Sequence, residues 1–162
     1  RRARPRLQRR WAVSRIARDP FDPLFDVDAF SEMLTKRSIE VKKGLLDQHL
    51  ISGIGNIYAD ECLWRMGLDG RTPCNYLDRS TAVEIVTTVT GVMSEALVAG
   101  GTSFDALYVN VNGESGYFSR SLAVYGREGH PCDRCGDPII RSKFMNRSSF
   151  HCSTCQPPWS LP

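Results

Sequence analysis

The chain has 162 residues, of which 41% are hydrophobic, and it carries a formal net charge of +3. This length accommodates one ordinary domain and a small satellite, and the hydrophobic content is sufficient for a packed core. No apolar run approaches the roughly 20 residues that span a membrane, so the composition argues against a membrane protein and predicts a cytoplasmic one.

Charge is distributed unevenly along the chain. The first 18 residues contain eight arginines and no acidic residue, and a guanidinium group pairs well with phosphate. Such an arm is typical of nucleic-acid contact, although a solvated terminus that touches nothing has the same composition. The segment Asp19-Pro20-Phe21-Asp22-Pro23 breaks any helix, so we predict a basic arm and linker over residues 1–22.

Helical patterns fill the chain from residue 28 to residue 98. Apolar spacing predicts helices over residues 28–37, 41–49, 56–64 and about 78–98. Asp28 or Ser31 is available to cap the first helix, and Gly100-Gly101 ends the last. The buried face of the last helix is predicted to contain Ala82, Val86, Val89, Met93 and Ala96. These elements predict a mainly α fold, with a helical bundle over residues 23–118.

A sharp turn precedes the third helix, because Gly53 and Gly55 lie two residues apart. A helix N-terminus presents unpaired backbone N–H groups and a partial positive charge, and Gly55 leaves them accessible to a phosphate oxygen. The side-chain amide of Asn56 could add a donor. A glycine-rich helix start is also a common way to reverse the chain, so this signal is weak alone.

Four cysteines form a C-x2-C-x16-C-x2-C array: Cys132, Cys135, Cys152 and Cys155. This spacing is typical of one structural zinc ion bound by four thiolates, which leaves no open coordination position for catalysis. Two disulfides in a secreted domain are the alternative. His130 and His151 neighbour these cysteines but are not needed as ligands.

The segment between the cysteine pairs predicts a β-hairpin. Residues 139–144 and 148–151 fit two antiparallel strands, with Met145, Asn146 and Arg147 at the bend. We therefore predict a zinc-finger domain over residues 119–162, with its ribbon at 132–155 and Arg147 displayed at the tip. The ribbon is too small for a core of its own, so its stability depends on the metal.

Three isolated side chains have simpler interpretations. Cys62 and Cys74 are expected to be packed thiols in a reducing compartment. His49 is expected to face solvent.

Several motifs together resemble the formamidopyrimidine-DNA glycosylase / endonuclease VIII family. They are Leu45-Leu46-Asp47-Gln48, Gly53-Ile54-Gly55-Asn56-Ile57-Tyr58-Ala59-Asp60-Glu61, Gly100-Gly101-Thr102, Gly116-Tyr117-Phe118, Val124-Tyr125-Gly126-Arg127 and the ribbon ending in Cys155-Gln156. The resemblance extends from about residue 19 to residue 156 and corresponds only to the family's C-terminal half. It implies a helix-two-turns-helix domain and a zinc finger, which together hold damaged duplex DNA.

The resemblance implies DNA-binding roles for five residues. Asn56, together with Gly55, corresponds to a backbone-phosphate ligand, and Arg147 corresponds to its partner on the finger. The finger arginine of the family also assists the second elimination step of strand cleavage. Lys42 matches a family lysine near the DNA, and Arg37 lies in the basic stretch ahead of it; both could instead be solvated helix charges.

The chain departs from the family where catalysis is concerned. Family catalysis uses the amine of an N-terminal proline with an adjacent glutamate. Here the nitrogen of Pro5 forms an amide with Arg4, and Arg6 stands where the glutamate is required. The family's N-terminal β-sandwich has no counterpart in the chain. Asp105 stands where the family often has a basic residue in the loop that covers the flipped base.

We therefore expect a DNA-binding protein that is non-catalytic alone, associates with the nucleoid, and binds damaged or abasic double-stranded DNA in base-excision repair. The first alternative is an active glycosylase and abasic-site lyase, with Lys42 as a substitute amine or a separate catalytic-domain chain. The second is an RNA-binding or interaction protein on the same fold.

Overall fold

The computed structural model describes residues 16–100 and 121–162, which form a helical domain followed by a small hairpin. The elements in chain order are α1 (Val27–Thr35), α2 (Val41–Leu46), α3 (Asn56–Met66), a short 3-10 helix (Cys74–Tyr76), α4 (Arg79–Val98), β1 (Ile140–Phe144) and β2 (Arg147–His151). The predicted fold class is confirmed. The first 15 residues of the basic arm, the loop with Asp105, the Gly116-Tyr117-Phe118 motif and the boundary at residue 118 lie outside the described residues.

Helix α1 begins one residue earlier than predicted, and its cap was predicted wrongly. The side chain of Asp26 accepts a hydrogen bond from the backbone N–H of Ala29, which satisfies one of the free donors in the first turn. Asp28 and Ser31 both lie inside the helix. The hydroxyl of Ser31 instead donates to the carbonyl of Val27 at 2.7 Å.

Helix α2 is shorter than predicted because Asp47 leaves the helical conformation. Its backbone is extended (φ −78°, ψ 102°), and its carboxylate accepts a hydrogen bond from the N–H of His49 at 2.9 Å. An Asp side chain that binds the backbone two residues later favours a turn over a helix. The imidazole of His49 is exposed, as predicted, although its Nδ1 lies 3.0 Å from Asp47.

Helix α4 is the central helix of the domain. Asp78 caps its first turn by accepting from the N–H of Thr81, and the helix packs against α1 and α3. All five apolar positions predicted for its inner face are buried. The helix is long and apolar enough to meet the criteria for a membrane span, with a mean hydropathy of 1.3, but 39% of that window is buried within the domain.

The main core lies between the four helices and includes both isolated thiols. Cys62 and Cys74 are each 0% exposed and unbridged. Burial raises the pKa of Cys62 to about 12 and that of Cys74 to about 11. The expectation of packed, protonated thiols is confirmed.

The hairpin loop is one residue tighter than predicted. Phe144 pairs with Arg147, so the loop contains only Met145 and Asn146, and Arg147 is the first residue of β2. Met145 has a φ of +52°; a positive φ is normal in a two-residue hairpin loop but unusual for a methionine.

Two glycines of the helical domain should respond oppositely to substitution by alanine. Gly67 ends α3 with a φ of +64°, and an added Cβ would lie 3.0 Å from the carbonyl oxygen of Cys155. We expect Gly67→Ala to lower the free energy of unfolding by about 1–2 kcal/mol. Gly91 lies inside α4 with open space around it, so Gly91→Ala should raise this free energy by about 0.5–1 kcal/mol. Urea unfolding followed by circular dichroism measures both; equal effects would contradict the left-handed end of α3 at Gly67 or the open position of Gly91 within α4.

Candidate nucleic-acid interface and metal site

Gln48 holds the two turns between α2 and α3. Its Oε1 accepts a hydrogen bond from the N–H of Gly53 at 3.0 Å. Its Nε2 donates to the carbonyls of Leu46 and Ile54, both at 3.3 Å. Gly53 adopts a φ of +85°, a conformation that glycine adopts without strain. The loop therefore has a defined shape that sets where α3 begins.

The N-terminus of α3 is open. Gly55 is its N-cap residue and makes no side-chain capping bond, and no atom lies within 4 Å of the position that its Cβ would occupy. The first N–H groups of a helix have no acceptor within the helix. Together with the helix dipole, they make this end suitable for an anion.

Asn56, the first residue of α3, connects this end of the helix to the hairpin. Its Nδ2 donates to the carbonyl oxygen of Ser148 at 2.8 Å. The contact with this carbonyl fixes which way the Asn56 amide points. If Oδ1 faced Ser148 in place of Nδ2, two hydrogen-bond acceptors would lie together. The Oδ1 of Asn56 is buried and has no hydrogen-bond partner among the described residues. The second hydrogen of Nδ2 remains available as a donor.

Arg147 is exposed and adjoins Ser148 on β2. Because residues that pair in an antiparallel ladder share a face, Arg147 lies on the same side of the hairpin as Phe144 and Ser149. Its guanidinium forms no hydrogen bond or ion pair with any residue that the structure describes. Arg147 is thus an exposed cation one residue before the carbonyl that Asn56 binds.

A buried ion pair lies beneath the hairpin. The ammonium of Lys42 is 2.7 Å from Oδ1 of Asp60, and the two side chains are 1% and 2% exposed. Lys42 also donates to the hydroxyl of Ser149 at 2.8 Å and lies 4.7 Å from the centre of the Phe144 ring. The other oxygen of Asp60 accepts from the N–H of Phe150 at 2.9 Å.

Burial acts on both charges of this pair. It lowers the pKa of Lys42 and raises the pKa of Asp60, in each case against the attraction of the partner. Both changes favour the uncharged forms. The pair therefore depends on its close geometry and on the hydrogen bonds from the hairpin, which compensate for lost hydration.

The neighbouring carboxylate, Glu61, binds the segment that leads into the ribbon. It is 1% exposed, and its two oxygens accept hydrogen bonds from the N–H groups of Ala123, Val124 and Tyr125, each at 2.9 Å. Three charge-assisted hydrogen bonds satisfy a buried carboxylate well. Asp60 and Glu61 therefore hold two separate parts of the C-terminal unit.

The four cysteines of the array are suited to bind one metal ion. Their sulfur atoms all lie within 4.8 Å of one another, with 3.8 Å between Cys132 and Cys155 and 3.4 Å between Cys135 and Cys152. Four sulfurs at about 2.3 Å around a tetrahedral ion are separated by roughly 3.8 Å. The distances exceed a disulfide bond of about 2.05 Å, so the disulfide alternative is wrong.

Gln156 connects the end of the ribbon to the helical domain. Its Oε1 accepts from the N–H of Cys152 at 3.0 Å, and its Nε2 donates to the carbonyl of Leu68 at 3.0 Å. The side chain is 3% exposed. The second cysteine pair is therefore fixed relative to the end of α3.

This arrangement of two turns and a cysteine hairpin agrees with a known family model. The model of the formamidopyrimidine-DNA glycosylase H2TH domain matches residues 16–107, more than half of the chain. The chain belongs to the formamidopyrimidine-DNA glycosylase family.

Relatives and solved structures agree with this assignment. The chain is 60% identical over 145 residues to formamidopyrimidine-DNA glycosylase of Thermobifida fusca, and 58% identical to that of Nocardia farcinica; each match covers 90% of this chain and 49% of the relative. The MutM (Fpg) protein of Thermus thermophilus superposes with a TM-score of 0.85 at 34% identity, over 97% of this chain and 59% of the other. A Lactococcus lactis Fpg in complex with abasic-site DNA superposes with a TM-score of 0.83 at 30% identity, over 94% of this chain and 55% of the other. The chain spans about half the length of the curated relatives it matches.

Within this family framework, the structure brings some of the predicted site residues together. The bond from Asn56 to the carbonyl of Ser148 joins the start of α3, where Gly55 is the N-cap residue, to the residue that follows Arg147 in β2. Arg37 has a different environment: its guanidinium pairs with Asp47 at 3.0 Å and is 41% exposed. Its contact with DNA stays a prediction.

The interpretation of Lys42 as a solvated helix charge is wrong, because its side chain is 1% exposed. Its contact with DNA stays a prediction. The structure buries the ammonium between α3 and the hairpin, where Asp60 and Ser149 occupy it. The reason is that Ser149, 107 positions away, provides a polar partner that local sequence does not reveal.

The roles of Asp60 and Glu61 were not predicted from the sequence. The two residues were noted only as part of a family motif, yet they attach the hairpin and its connecting segment to α3. The available signal was two adjacent acidic residues within a helix whose neighbours Ala59, Cys62 and Leu63 are apolar. Charged residues at core positions usually have a specific partner.

Removing the Lys42 ammonium should be costly because it leaves the Asp60 carboxylate buried and uncompensated. We expect Lys42→Met to lower the free energy of unfolding by about 3–5 kcal/mol, and the double variant Lys42→Met/Asp60→Leu to recover much of this loss. Lys43→Met is the matched control, because Lys43 is 43% exposed and pairs with Glu40 at the surface; it should change stability by no more than about 0.5 kcal/mol. Urea unfolding at equal metal content measures all three. A similar loss for Lys42→Met and Lys43→Met would contradict the buried pair.

Proposed function

We propose that this chain is a duplex-DNA-binding unit that grips the sugar-phosphate backbone at one place, between the N-terminus of α3 and the tip of the hairpin. Gly55 and Asn56 supply the N–H donors, and Arg147 supplies the positive charge. Contacts of this kind position a protein on DNA without reading its sequence.

The observation that carries this proposal is the hydrogen bond from Asn56 to the carbonyl of Ser148 at 2.8 Å. This bond joins α3, whose first turn is open at Gly55, to the residue that follows Arg147, an exposed arginine that has no partner among the described residues. Backbone amides and a guanidinium group converging on one point suit a phosphate group.

We further propose that the four cysteines hold one structural zinc ion. An all-cysteine set with these sulfur separations favours zinc. Zinc bound there would hold the two cysteine pairs together, which a ribbon of ten strand residues has too little core to do alone. The ion would be structural, because four sulfurs fill its coordination positions.

The preferred DNA in this proposal is damaged or abasic duplex DNA, in a base-excision-repair context. The support is the family and the similarity to Lactococcus lactis Fpg bound to abasic-site DNA. We propose that these 162 residues bind such DNA but do not cleave it. The nitrogen of Pro5 is part of an amide, and the side chain of Lys42 is 1% exposed, so neither supplies an accessible nucleophilic amine.

Substitution of the two grip residues should weaken DNA binding in distinguishable ways. Arg147→Ala should lower affinity and reduce the slope of log affinity against log salt by about 1, since one phosphate contact is lost. Asn56→Ala should lower affinity and leave the slope nearly unchanged, because a neutral amide releases no counterion. Fluorescence anisotropy with a duplex that contains a tetrahydrofuran abasic analogue, and with the intact duplex, measures both effects.

Arg79→Ala is the matched control for Arg147→Ala. Arg79 is an exposed arginine that pairs with Asp28 on α1, away from the proposed grip, and its removal should leave affinity and slope unchanged. If Arg79→Ala weakens binding as much as Arg147→Ala, binding is non-specific. Tighter binding to a structured RNA than to either duplex would favour the RNA-binding alternative.

Borohydride trapping separates DNA binding from lyase chemistry. With an abasic-site duplex and sodium borohydride, we expect no covalent protein–DNA adduct, because the nitrogen of Pro5 is part of an amide and the ammonium of Lys42 is buried. A formamidopyrimidine-DNA glycosylase with proven lyase activity serves as the positive control. An adduct formed by the unaltered chain would contradict the proposal, and its loss in the double variant Lys42→Met/Asp60→Leu, which should keep the fold, would identify Lys42 as the nucleophile.

A further inference from the structure

Trp64 lies at the far end of α3 from the phosphate grip, and its indole reaches the metal site. The side chain is 8% exposed and packs with Val124, Ile139 and Phe150 in a small core that also contains Cys132 and Cys152. Its Nε1 donates to the sulfur of Cys132 at 3.4 Å. A tryptophan N–H has a single hydrogen to donate, and here it is directed at one member of the cysteine array.

Arg134 fixes the indole in this position. Its guanidinium lies over the Trp64 ring, 3.9 Å from the ring centre. The same guanidinium donates to the carbonyls of Trp64 at 2.6 Å and Arg65 at 3.0 Å. A cation is favourable at the C-terminal end of a helix, and the fork of arginine can make the two bonds and the ring contact together, which a lysine cannot.

These contacts have a chemical consequence for a metal-bound thiolate. A cation over the ring face attracts electron density from the indole and so makes its N–H a stronger donor. A donor directed at a thiolate stabilises the negative charge on sulfur. A ligand whose charge and orientation are held by such a donor is also held more firmly on its metal, an effect that hydrogen-bond partners of metal ligands generally have.

We propose that Trp64 is a positioning residue that holds the Cys132 thiolate on the metal, and that Arg134 locks Trp64 in place. The proposal rests on the metal site described under the proposed function. It goes beyond that site because it assigns the retention of the metal ion to Trp64, a side chain of the helical domain. The metal is thereby connected to the helix that carries the phosphate grip.

The test compares metal release from Trp64→Phe and from the unaltered chain, each loaded with zinc. Phenylalanine retains the ring and the contact with Arg134 but removes the N–H. Zinc captured by the chelator 4-(2-pyridylazo)resorcinol is followed by absorbance. Loss of a contact to a ligand should accelerate release by about 10- to 100-fold. Arg134→Lys, which keeps the charge but loses the fork, should accelerate it by a smaller factor.

Trp159→Phe is the matched control. Trp159 packs on Tyr76 with ring centres 5.2 Å apart, and it belongs to none of the described clusters that contain the four cysteines. Its substitution should leave zinc release unchanged.

A second measurement does not depend on any variant folding. In the unaltered chain loaded with cadmium-113, the indole proton of Trp64 should show a scalar coupling to the metal, transmitted through the hydrogen bond to the sulfur of Cys132. The role of Trp64 is overturned if the indole proton shows no coupling to cadmium, or if Trp64→Phe releases zinc no faster than Trp159→Phe does. Either result leaves the metal site intact. A chain that binds neither zinc nor cadmium overturns the metal site and this proposal together.

Discussion

The arrangement of the molecule depends on two adjacent carboxylates in α3. The hairpin is too small to bury a core of its own, so its position must be set by the helical domain. Asp60 binds the backbone of β2, and Glu61 binds three consecutive N–H groups of the connecting segment. Consecutive helix residues point about 100° apart, so the two side chains reach different parts of the C-terminal unit and fix its orientation as well as its position.

Helix α3 consequently serves several roles at different points along its length. Its N-terminus binds the carbonyl of Ser148, next to Arg147 in β2, its middle carries the two carboxylates, and its C-terminal part contacts Cys132 through Trp64. Eleven residues of helix span about 16 Å, so the metal site and the open helix end are well separated. An effect of the metal on the phosphate grip therefore passes through β2 or through Trp64 and α3.

Local patterns in the sequence predicted the elements, and distant pairings decided the details of the site. The spacing of Ala82, Val86, Val89, Met93 and Ala96 predicted the inner face of α4 correctly, and the cysteine spacing predicted one compact cluster. The burial of Lys42 was not predictable in this way, because its partners Asp60 and Ser149 are 18 and 107 positions away in the chain. The cap of α1 was misassigned because three candidate residues lie within six positions, and backbone conformation selects among them.

The polar character of the contact under the hairpin explains how the direction of Arg147 is fixed. An apolar contact tolerates small displacements, whereas Lys42 and Asp60 are satisfied only when Ser149 and the N–H of Phe150 lie opposite them. A shift of β2 by one residue would turn Ser149 to the other face and remove the hydrogen bonds that the hairpin makes with the buried Lys42–Asp60 pair, at a cost of about 1–3 kcal/mol for each unsatisfied group. The same shift would turn Arg147 away from the helix end. The buried ion pair adds little net stability. It nevertheless excludes the other registers of β2, in which the proposed grip could not form.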